Sequence, residues 1–284
     1  MGVIANPEKL AGRAAIRRAV RWVTASGRQV LTEPETAKMA GLDLPLHANA
    51  AELARQCDLL LVFGGDGTIL HVARDIAGSR APMLGVNLGS LGFLTAVSSE
   101  GLAPALDELW KGRCQVESRP LIEARGAVEG LPFRELALND FVITRGTVPR
   151  LIELQVSVDG EILTSYRGDG LIISSPTGST AYSLAAGGAV VSPQASVFAL
   201  TPICPHTLSN RSVIVSLRST VEVRLLSRRV ETLLSADGQT RARLEAGEAL
   251  TFRRARHSAH LVRMPGSSFF KTLRQKLNWS GSSV

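Results

Sequence analysis

Leu-Leu-Leu-Val-Phe-Gly-Gly-Asp-Gly-Thr-Ile-Leu, at residues 59–70, predicts a buried strand that runs into a glycine turn and then a helix beginning at about Thr68. An uninterrupted apolar run of strand length, bounded by glycines, is typical of a central parallel strand covered on both faces. Strand and helix patterns alternate on both sides of this stretch. The alternation predicts an α/β domain with a doubly wound parallel sheet, which binds ligands at the carboxyl ends of its strands.

The turn in this stretch has the chemistry of a phosphate-binding site. Its glycines allow positive φ angles and a close approach of backbone amides to a ligand oxygen, and the following helix presents its positive end to an anion. Asp66 is the only acid in the turn. A carboxylate beside phosphates suits a general base, or an acceptor for a hydroxyl or a magnesium-bound water. The alternative is an ordinary strand-to-helix turn with a capping aspartate.

A second glycine turn follows the next predicted strand. That strand is Met83–Asn87, and residues 87–93, Asn-Leu-Gly-Ser-Leu-Gly-Phe, lie at its carboxyl end. Because neighbouring parallel strands end at the same edge of a sheet, the two turns can converge on one ligand. A helix is predicted next, from about Leu102 to Trp110.

After this helix the pattern changes, and the chain divides into three parts. Residues 1–113 form the α/β domain. Residues 114–265 consist mainly of short β-branched segments separated by turns, which predicts an all-β second domain. Residues 266–284 contain one more predicted helix, at about Ser268 to Leu277, with apolar residues on one side. A lone helix after an all-β domain is expected to return and pack on the first domain.

Composition argues against several classes of function. The chain has 284 residues, 45% of them apolar, so it can bury a sizeable core. Its net charge of +7 suits a polyanionic ligand, but the basic residues are spread out and only 5% of residues are aromatic, which argues against a nucleic-acid partner. No apolar run approaches the roughly 18 residues of a membrane helix, and no signal-peptide pattern follows Met1. Three scattered cysteines are expected to be reduced thiols. Together, these features predict a cytoplasmic protein that binds no membrane.

The second domain carries polar residues that core packing does not need. Residues 174–183, Ser-Ser-Pro-Thr-Gly-Ser-Thr-Ala-Tyr-Ser, are dense in hydroxyls, and Ala-Ala-Gly-Gly-Ala follows at residues 185–189. Hydroxyls and exposed amides in such a loop suit phosphate, ribose or base edges, and Tyr182 can stack on a ring. The alternative is an ordinary turn rich in serine and threonine. The glycine turn at Asp66 in the same chain favours the ligand site.

Four motifs together resemble the bacterial NAD kinase family: Gly64-Gly65-Asp66-Gly67-Thr68, Asn139-Asp140, Gly168-Asp169-Gly170 and the hydroxyl-rich block at residues 175–188. The first motif is shared with diacylglycerol-type lipid kinases and is related to a phosphofructokinase motif, whereas the hydroxyl-rich block is close to diagnostic. The resemblance covers nearly the whole chain. It implies an N-terminal α/β domain, a C-terminal β-sandwich-like domain and a final helix that returns to the first. It also implies phosphorylation of the adenosine ribose 2′-hydroxyl of NAD, with ATP or polyphosphate as donor, to give NADP.

The resemblance implies roles for individual residues. Asp66 is the catalytic base, and the donor phosphates are cradled by Gly64, Gly65, Gly67 and Thr68. Asn139 and Asp140 hold the dinucleotide, although Asp140 stands where the family usually has a glutamate and is one methylene shorter. Further NAD-binding positions are Arg167, Asp169, Thr177, Thr180, Ala181, Tyr182, Ser183, Ala185 and Gln239, with weaker matches at Arg150 and His71.

Two of these positions have an alternative explanation. His71 can be an ordinary helix residue. Asp140 can instead satisfy backbone amides at the start of the strand Phe141-Val142-Ile143. In that case its loss would lower stability without a selective effect on NAD.

Mg²⁺ or another divalent metal is the expected cofactor. We expect it to be carried on the donor phosphates, because the sequence has no carboxylate cluster that would form a metal cage. The resemblance also implies a homodimer or homotetramer whose NAD sites borrow residues across subunits, with the region of Asp237 as the candidate. Two rival functions are a diacylglycerol-type lipid kinase, which no amphipathic Trp- or Lys-rich face supports, and a non-catalytic NAD-binding regulator, which the intact Asp66 argues against.

Overall fold

The computed structural model describes residues 1–9, 12–89, 92–148, 150–206 and 211–279. The chain forms two compact units, Met1–Ser118 with Ser258–Val284, and Arg119–His257. The boundaries predicted after residues 113 and 265 both fall within the first unit. The structural division passes instead through two long strands, Gln115–Val128 and Ala249–Arg263.

The helices and strands follow in chain order. The first part of the chain contains β1 (Gly2–Ala5), α1 (Arg13–Ala25), β2 (Leu31–Thr32), α2 (Pro34–Ala40), α3 (Ala50–Arg55), β3 (Leu60–Gly64), α4 (Asp66–Asp75), β4 (Met83–Asn87), β5 (Val97–Ser98) and α5 (Leu102–Trp110). The strand-rich part contains β6 (Gln115–Val128), β7 (Leu131–Ala137), β8 (Asp140–Arg145), β9 (Ile152–Val158), β10 (Glu161–Gly168), β11 (Gly170–Ser174), α6 (Tyr182–Ala185), β12 (Val197–Ile203), β13 (Val213–Ser216), β14 (Val221–Leu225), β15 (Thr232–Ala236), β16 (Gln239–Leu244) and β17 (Ala249–Arg263). The last helix is α7 (Phe269–Lys276).

Four strands of the first unit form a parallel sheet in the order β2-β1-β3-β4. β3 and β4 are buried along their whole length, as central strands covered on both faces must be. Helix α1 buries Ile16 and Val23, which share one apolar cluster with Leu61 and Phe63 of β3. The predicted α/β domain with a parallel sheet is confirmed.

Two helices of this unit differ from the sequence prediction. Helix α4 begins at Asp66 rather than at about Thr68, because Gly65 is extended (φ −104°, ψ −169°) and occupies the N-cap position. Helix α2 has no counterpart among the predicted helices. Its sequence signals are Pro34 in the first turn and Gly41, with φ +61°, just after the last turn, and these fit the preference for proline at the start and glycine at the end of a helix.

The second unit is a β-sandwich. One sheet has six antiparallel strands in the order β13-β12-β11-β8-β15-β16, and the other contains the antiparallel run β10-β9-β14-β17. Strand β6 pairs with β7 and β17. A single apolar cluster draws residues from both sheets, including Phe141 and Phe252, whose ring centroids lie 5.4 Å apart. The predicted all-β, sandwich-like domain is confirmed.

The final helix, α7, belongs to the first unit. The hydroxyl of Ser268 caps it by accepting a hydrogen bond from the amide of Lys271 at 3.1 Å. Its Leu273 is buried, and its Phe269 ring centroid lies 6.4 Å from that of Phe93. The predicted return of the last helix to the α/β domain is therefore confirmed. Among the described residues, no helix is both long enough and apolar enough to span a membrane.

Candidate functional site

The first glycine turn places Asp66 at the start of a helix and at the carboxyl end of a central strand. β3 ends at Gly64, and α4 begins two residues later. A side chain on Gly64 would collide with Thr68, so this position requires glycine. Gly67 is exposed, and a Cβ atom there would meet open space. The turn therefore leaves room for a ligand beside the amides of Asp66 and Gly67 at the start of α4, whereas the Thr68 amide donates to the Gly65 carbonyl at 3.1 Å.

The second glycine turn holds the Asp66 carboxylate. Oδ2 accepts a hydrogen bond from the amide of Phe93 at 2.8 Å, and Oδ1 accepts one from the amide of Leu94 at 3.0 Å. A side chain on Gly92 would collide with the carboxylate. Because each carboxylate oxygen has a second acceptor site, Asp66 can still bind a ligand. The two turns thus meet at Asp66, while Ser90 and Leu91 of the second turn lie outside the described residues.

Lys9 adds a cation beside the first turn, and sequence reasoning missed it. A Cβ atom built on Gly65 would lie 3.7 Å from the Lys9 Nζ. Lys9 follows β1, which pairs in parallel with β3 so that Ala5 lies opposite Phe63. Its position just after a strand of the parallel sheet was the signal that could have found it, since ligands bind at that edge.

In the second unit, hydrogen bonds hold the Asn139-Asp140 segment from two sides. The Asp237 carboxylate accepts from the amides of Leu138 at 3.0 Å, Asn139 at 2.7 Å and Asp140 at 3.2 Å. On the other side, the Ser175 hydroxyl donates to the carbonyl of Leu138 at 2.5 Å, and the Ser175 amide donates to the carbonyl of Asn139 at 2.8 Å. The backbone of the segment is therefore fixed, and its side chains are not needed to satisfy it.

The Asp140 side chain is buried next to another acid. Asp140 is 4% exposed, and no hydrogen bond to its carboxyl group occurs among the described residues. Burial raises the pKa of Asp140 to about 7, and the negative charge of Asp237 contributes to this rise. The alternative explanation of Asp140 was that its carboxylate satisfies the backbone amides at the start of β8. The structure assigns those amides to Asp237 instead.

The hydroxyl-rich block forms a short 3₁₀ helix followed by α6. The hydroxyls of Ser179 and Ser183 are used inside the unit, the second in a 2.9 Å hydrogen bond with Thr201. Thr177 is different, because its Oγ1 is buried and has no hydrogen-bond partner in the described part of the chain. Tyr182 is 45% exposed. Thr177 and Tyr182 are therefore the side chains of the block best placed to engage a ligand.

Two family models match this order of an α/β and a β-rich part. The ATP-NAD kinase N-terminal domain matches residues 1–114, and the ATP-NAD kinase C-terminal domain matches residues 138–264. The NAD kinase of Syntrophotalea carbinolica is 41% identical over 264 residues, which cover 93% of this chain and 92% of that protein. This chain belongs to the NAD kinase family.

Two further proteins are similar to this chain over most of its length. The NAD kinase of Geotalea daltonii is 41% identical over 263 residues, or 92% of this chain and 91% of that protein. The crystal structure of a yeast NADH kinase complexed with NADH superimposes with a TM-score of 0.90 at 27% identity, over 99% of this chain and 88% of that one. The family assignment therefore rests on both units of the chain.

The Gly168-Asp169-Gly170 motif binds an arginine that the sequence prediction did not include. Arg145 Nε donates to Asp169 Oδ1 at 2.6 Å, and the Arg145 amide donates to the Asp169 carbonyl at 3.0 Å. Side chains on either glycine would meet backbone carbonyls of neighbouring residues. Arg145 lies at the end of β8, and its local sequence gives no signal of this role. The pairing of β8 with β11 brings it to Asp169.

The other predicted NAD-binding positions lie at or near the surface of their units. His71 has a side chain that is 58% exposed and places Nε2 3.5 Å from Asp75 Oδ2 one helical turn later, as an ordinary helix residue would. Gln239 is exposed, and its Oε1 accepts from Arg241 at 2.6 Å. The rest are half-buried or exposed: Thr180, Ala181, Ala185, Arg150 and Arg167.

Proposed function

We propose that the protein is an NAD kinase, which transfers the terminal phosphoryl group of ATP to the adenosine ribose 2′-hydroxyl of NAD. The bond between that group and the donor breaks, a bond to the ribose oxygen forms, and the hydroxyl proton leaves, so that the products are NADP and ADP. Polyphosphate is the alternative donor. The observation that carries the proposal is the Asp66 carboxylate, held where two glycine turns meet, in a chain that matches NAD kinases over both of its units.

Asp66 is proposed as the base that takes the proton of the hydroxyl. The amides of Phe93 and Leu94 fix the direction of its carboxylate and leave one acceptor site free on each oxygen. A fixed base needs no reorganisation when the substrate binds, and such a base contributes about 10² to 10⁴ in rate.

The donor phosphates are proposed to bind around the first turn of α4. Phosphoryl transfer asks chiefly for in-line positioning and for neutralisation of charge. Backbone amides near Gly64, Gly65, Gly67 and Thr68 would supply donors. Lys9, whose ammonium lies beside Gly65, would supply a positive charge.

The dinucleotide is proposed to bind to Asn139, Asp140, Thr177 and Tyr182. A hydrogen bond from the ligand would satisfy the buried Thr177 hydroxyl, which has no partner in the described part of the chain. The exposed ring of Tyr182 offers a surface for stacking. The remaining positions stay predictions: Arg150, Arg167, Asp169, Thr180, Ala181, Ser183, Ala185, Gln239 and His71.

Mg²⁺ is proposed to arrive on the phosphates of the donor. Within the described residues, no group of three or more His, Cys, Asp or Glu side chains could hold a metal ion. The free acceptor sites of Asp66 fit a metal-bound water, which is a common way for proteins to hold Mg²⁺. The metal would neutralise phosphate charge during transfer.

A coupled assay tests the proposal. Purified protein is incubated with NAD, ATP and Mg²⁺, and NADP is detected with an NADP-specific dehydrogenase. We expect NADP only when all three are present. NADH is tested beside NAD, because the yeast neighbour is an NADH kinase. Binding of NAD with no NADP from ATP or polyphosphate would make the protein a regulator, and phosphorylation of a lipid instead would make it a lipid kinase. Either result refutes the proposal.

We also propose that the protein acts in the cytoplasm as a homodimer or homotetramer. Light scattering after size-exclusion chromatography measures the mass of the particle. A particle of 30.3 kDa, the mass of one chain, would refute the oligomer.

A further inference from the structure

The turn between β15 and β16 contains an aspartate that the turn alone does not explain. Asp237 and Gly238 connect Ala236 to Gln239, which are paired, and have φ angles of +47° and +77°. An Asp-Gly pair with positive φ angles is a common two-residue hairpin turn. Such a turn depends on the backbone conformation, so it leaves the Asp237 carboxylate available for another role.

The Asp237 carboxylate accepts hydrogen bonds from the backbone segment that precedes the pairing of β8 with β15. The pairing of β8 with β15 ends at Phe141. Beyond it, the amides of Leu138, Asn139 and Asp140 donate to the Asp237 carboxylate at 3.0, 2.7 and 3.2 Å. The Asp237 amide donates in return to the Asp140 carbonyl at 3.0 Å. Four hydrogen bonds to one residue therefore fix the backbone conformation of the Asn139-Asp140 motif.

Asp237 is also the charged neighbour of Asp140. On the other side of β8, Asp140 pairs with Ser174 of β11, and Ser175 and Thr177 follow, so these described neighbours contribute hydroxyls. On the β15 side, the negative charge of Asp237 acts on Asp140. One acid beside another favours the neutral form of the more buried one. Asp237 thus influences both the backbone and the charge of the motif.

We propose that Asp237 is a positioning residue for NAD binding, whose carboxylate holds the backbone of Asn139 and Asp140 so that both side chains meet the dinucleotide in one geometry. The inference rests on the proposed function, since it requires that this motif binds NAD. It gives Asp237 a role within its own subunit. The resemblance to the family had suggested a role for this region across subunits.

The test compares Asp237→Asn with a matched control, Asp159→Asn. Asparagine is nearly isosteric and tolerates positive φ, so the turn is kept while the charge is lost and one acceptor oxygen becomes a donor. Asp159 lies in another Asp-Gly turn of the same unit, with φ +52° followed by +88°, and its Oδ1 accepts from the amide of Thr220 at 2.7 Å. A second variant, Asp237→Gly, removes the carboxylate and keeps a turn that glycine also forms.

NAD binding by the full-length protein is measured by calorimetry beside the melting temperature, at a pH above about 8, where Asp140 with its pKa of about 7 is ionised in the wild type as well as in the variants. We expect Asp237→Asn and Asp237→Gly to raise the Kd for NAD about tenfold or more, which is roughly 1.4 kcal/mol. The KM for ATP should stay within about twofold, as expected of a residue that acts on one substrate only. Asp159→Asn should leave the Kd for NAD within about twofold.

The pH dependence of NAD affinity is a second readout, which a purely structural role would not move. The affinity of the wild type should rise with pH as Asp140 ionises, because a carboxylate is a stronger acceptor for ribose hydroxyls than a carboxylic acid. In Asp237→Asn the midpoint of this rise should lie at lower pH. The inference is overturned if both Asp237 variants bind NAD as the wild type does, if Asp159→Asn weakens NAD binding equally, or if the midpoint does not move. A wild-type protein that binds no NAD would refute the proposed function, and the inference with it.

Discussion

Asp66 and Asp140 carry the same side chain in opposite environments. Asp66 is half-buried, and both of its oxygens accept hydrogen bonds from backbone amides. Asp140 is 4% exposed, has no hydrogen bond to its carboxyl group among the described residues, and lies beside Asp237. Amide donors suit an anionic acceptor, whereas burial beside a second acid suits a neutral carboxylic acid.

This difference shows how one residue type can serve two purposes in one protein. Environments that treat two carboxyl groups differently are the usual way in which enzymes separate their roles. In our proposal Asp66 acts on the reacting hydroxyl, and Asp140 binds the substrate. Each of the following predictions tests one side of this contrast.

The largest expected effect is on the pH dependence of stability. The pKa of Asp140 is about 7 in the folded protein against an ordinary value of 3.8, so between these pH values the folded protein binds a proton that the unfolded chain has released. Ionisation of Asp140 therefore lowers the free energy of unfolding of the wild type. This reduction is absent below about pH 4, grows as the pH rises, and is complete above about pH 7. The free energy of unfolding of Asp140→Asn, which cannot ionise, should exceed that of the wild type by roughly 3 to 4 kcal/mol at pH 8.

Urea unfolding between pH 4 and pH 8 measures this difference. Asp159→Asn is the control, because the pKa of Asp159 is shifted in the opposite direction to that of Asp140. The amide of Thr220 lowers the pKa of Asp159, so the contribution of Asp159 to stability is present at neutral pH and is lost as the pH falls through the folded-state pKa. Parallel curves for the wild type and Asp140→Asn would show that Asp140 is an ordinary ionised aspartate, and the contrast with Asp66 would disappear.

The second effect is on catalysis at Asp66. Asp66→Asn should lower kcat by about 10² or more, because the amide cannot take the proton of the hydroxyl, and should leave NAD affinity within a few-fold. Steady-state kinetics with ATP and NAD measure both quantities. Asp75→Asn, at the last turn of the same helix, is the control and should keep near-wild-type kcat. A higher KM with unchanged kcat in Asp66→Asn would make Asp66 a binding residue.

The third effect is on NAD affinity at Asp140. Asp140→Ala leaves hydroxyl donors on the substrate unpaired and should cost about 1.5 to 3 kcal/mol. That is roughly a ten- to hundredfold loss of affinity, measured by calorimetry. The melting temperature should not fall, since the variant removes a buried acid whose neighbouring amides bond to Asp237. Unchanged affinity with a lower melting temperature would take Asp140 out of the NAD site.

The smallest effect is expected for Asp140→Glu. This change restores the usual residue of the family but adds a methylene to a buried position shaped for the shorter acid. We expect the KM for NAD to change by less than about tenfold, and kcat to be retained. A loss as large as that of Asp140→Ala would show that the site depends on the length of the side chain as well as on its charge.

Local sequence patterns predicted much of the fold. β4 and α5 have the bounds that their patterns indicate, because apolar runs, alternation and flanking turns are properties of neighbouring residues. The start of α4 was predicted two residues late, because the extended conformation of Gly65 is not encoded in residue type alone. The short helix α2 has terminal signals but little apolar pattern of its own.

Site residues were predictable where a motif marks them and not where a distant contact creates the role. The motif at residues 64–68 marks Asp66, and the position of Lys9 after a strand of the parallel sheet is a weaker signal for its place beside Gly65, but nothing near Arg145 indicates that its side chain lies beside Asp169. The hydroxyl-rich block was predicted as a set of ligand groups. The structure uses the Ser179 and Ser183 hydroxyls inside the unit and leaves Thr177 without a partner in the described part of the chain.

By itself, the sequence determined the two-part architecture, the glycine turns and the identity of the acids, since these follow from residue type and local spacing. Only the tertiary structure decided which acid accepts hydrogen bonds from backbone amides and which is buried beside another acid. The amide that binds Asp66 Oδ2 comes from a residue 27 positions away, and the carboxylate that binds the Asn139 amide comes from one 98 positions away. The protonation of a carboxyl group depends on the donors, charges and solvent around it, and chain folding brings these together from parts of the sequence that no local pattern connects.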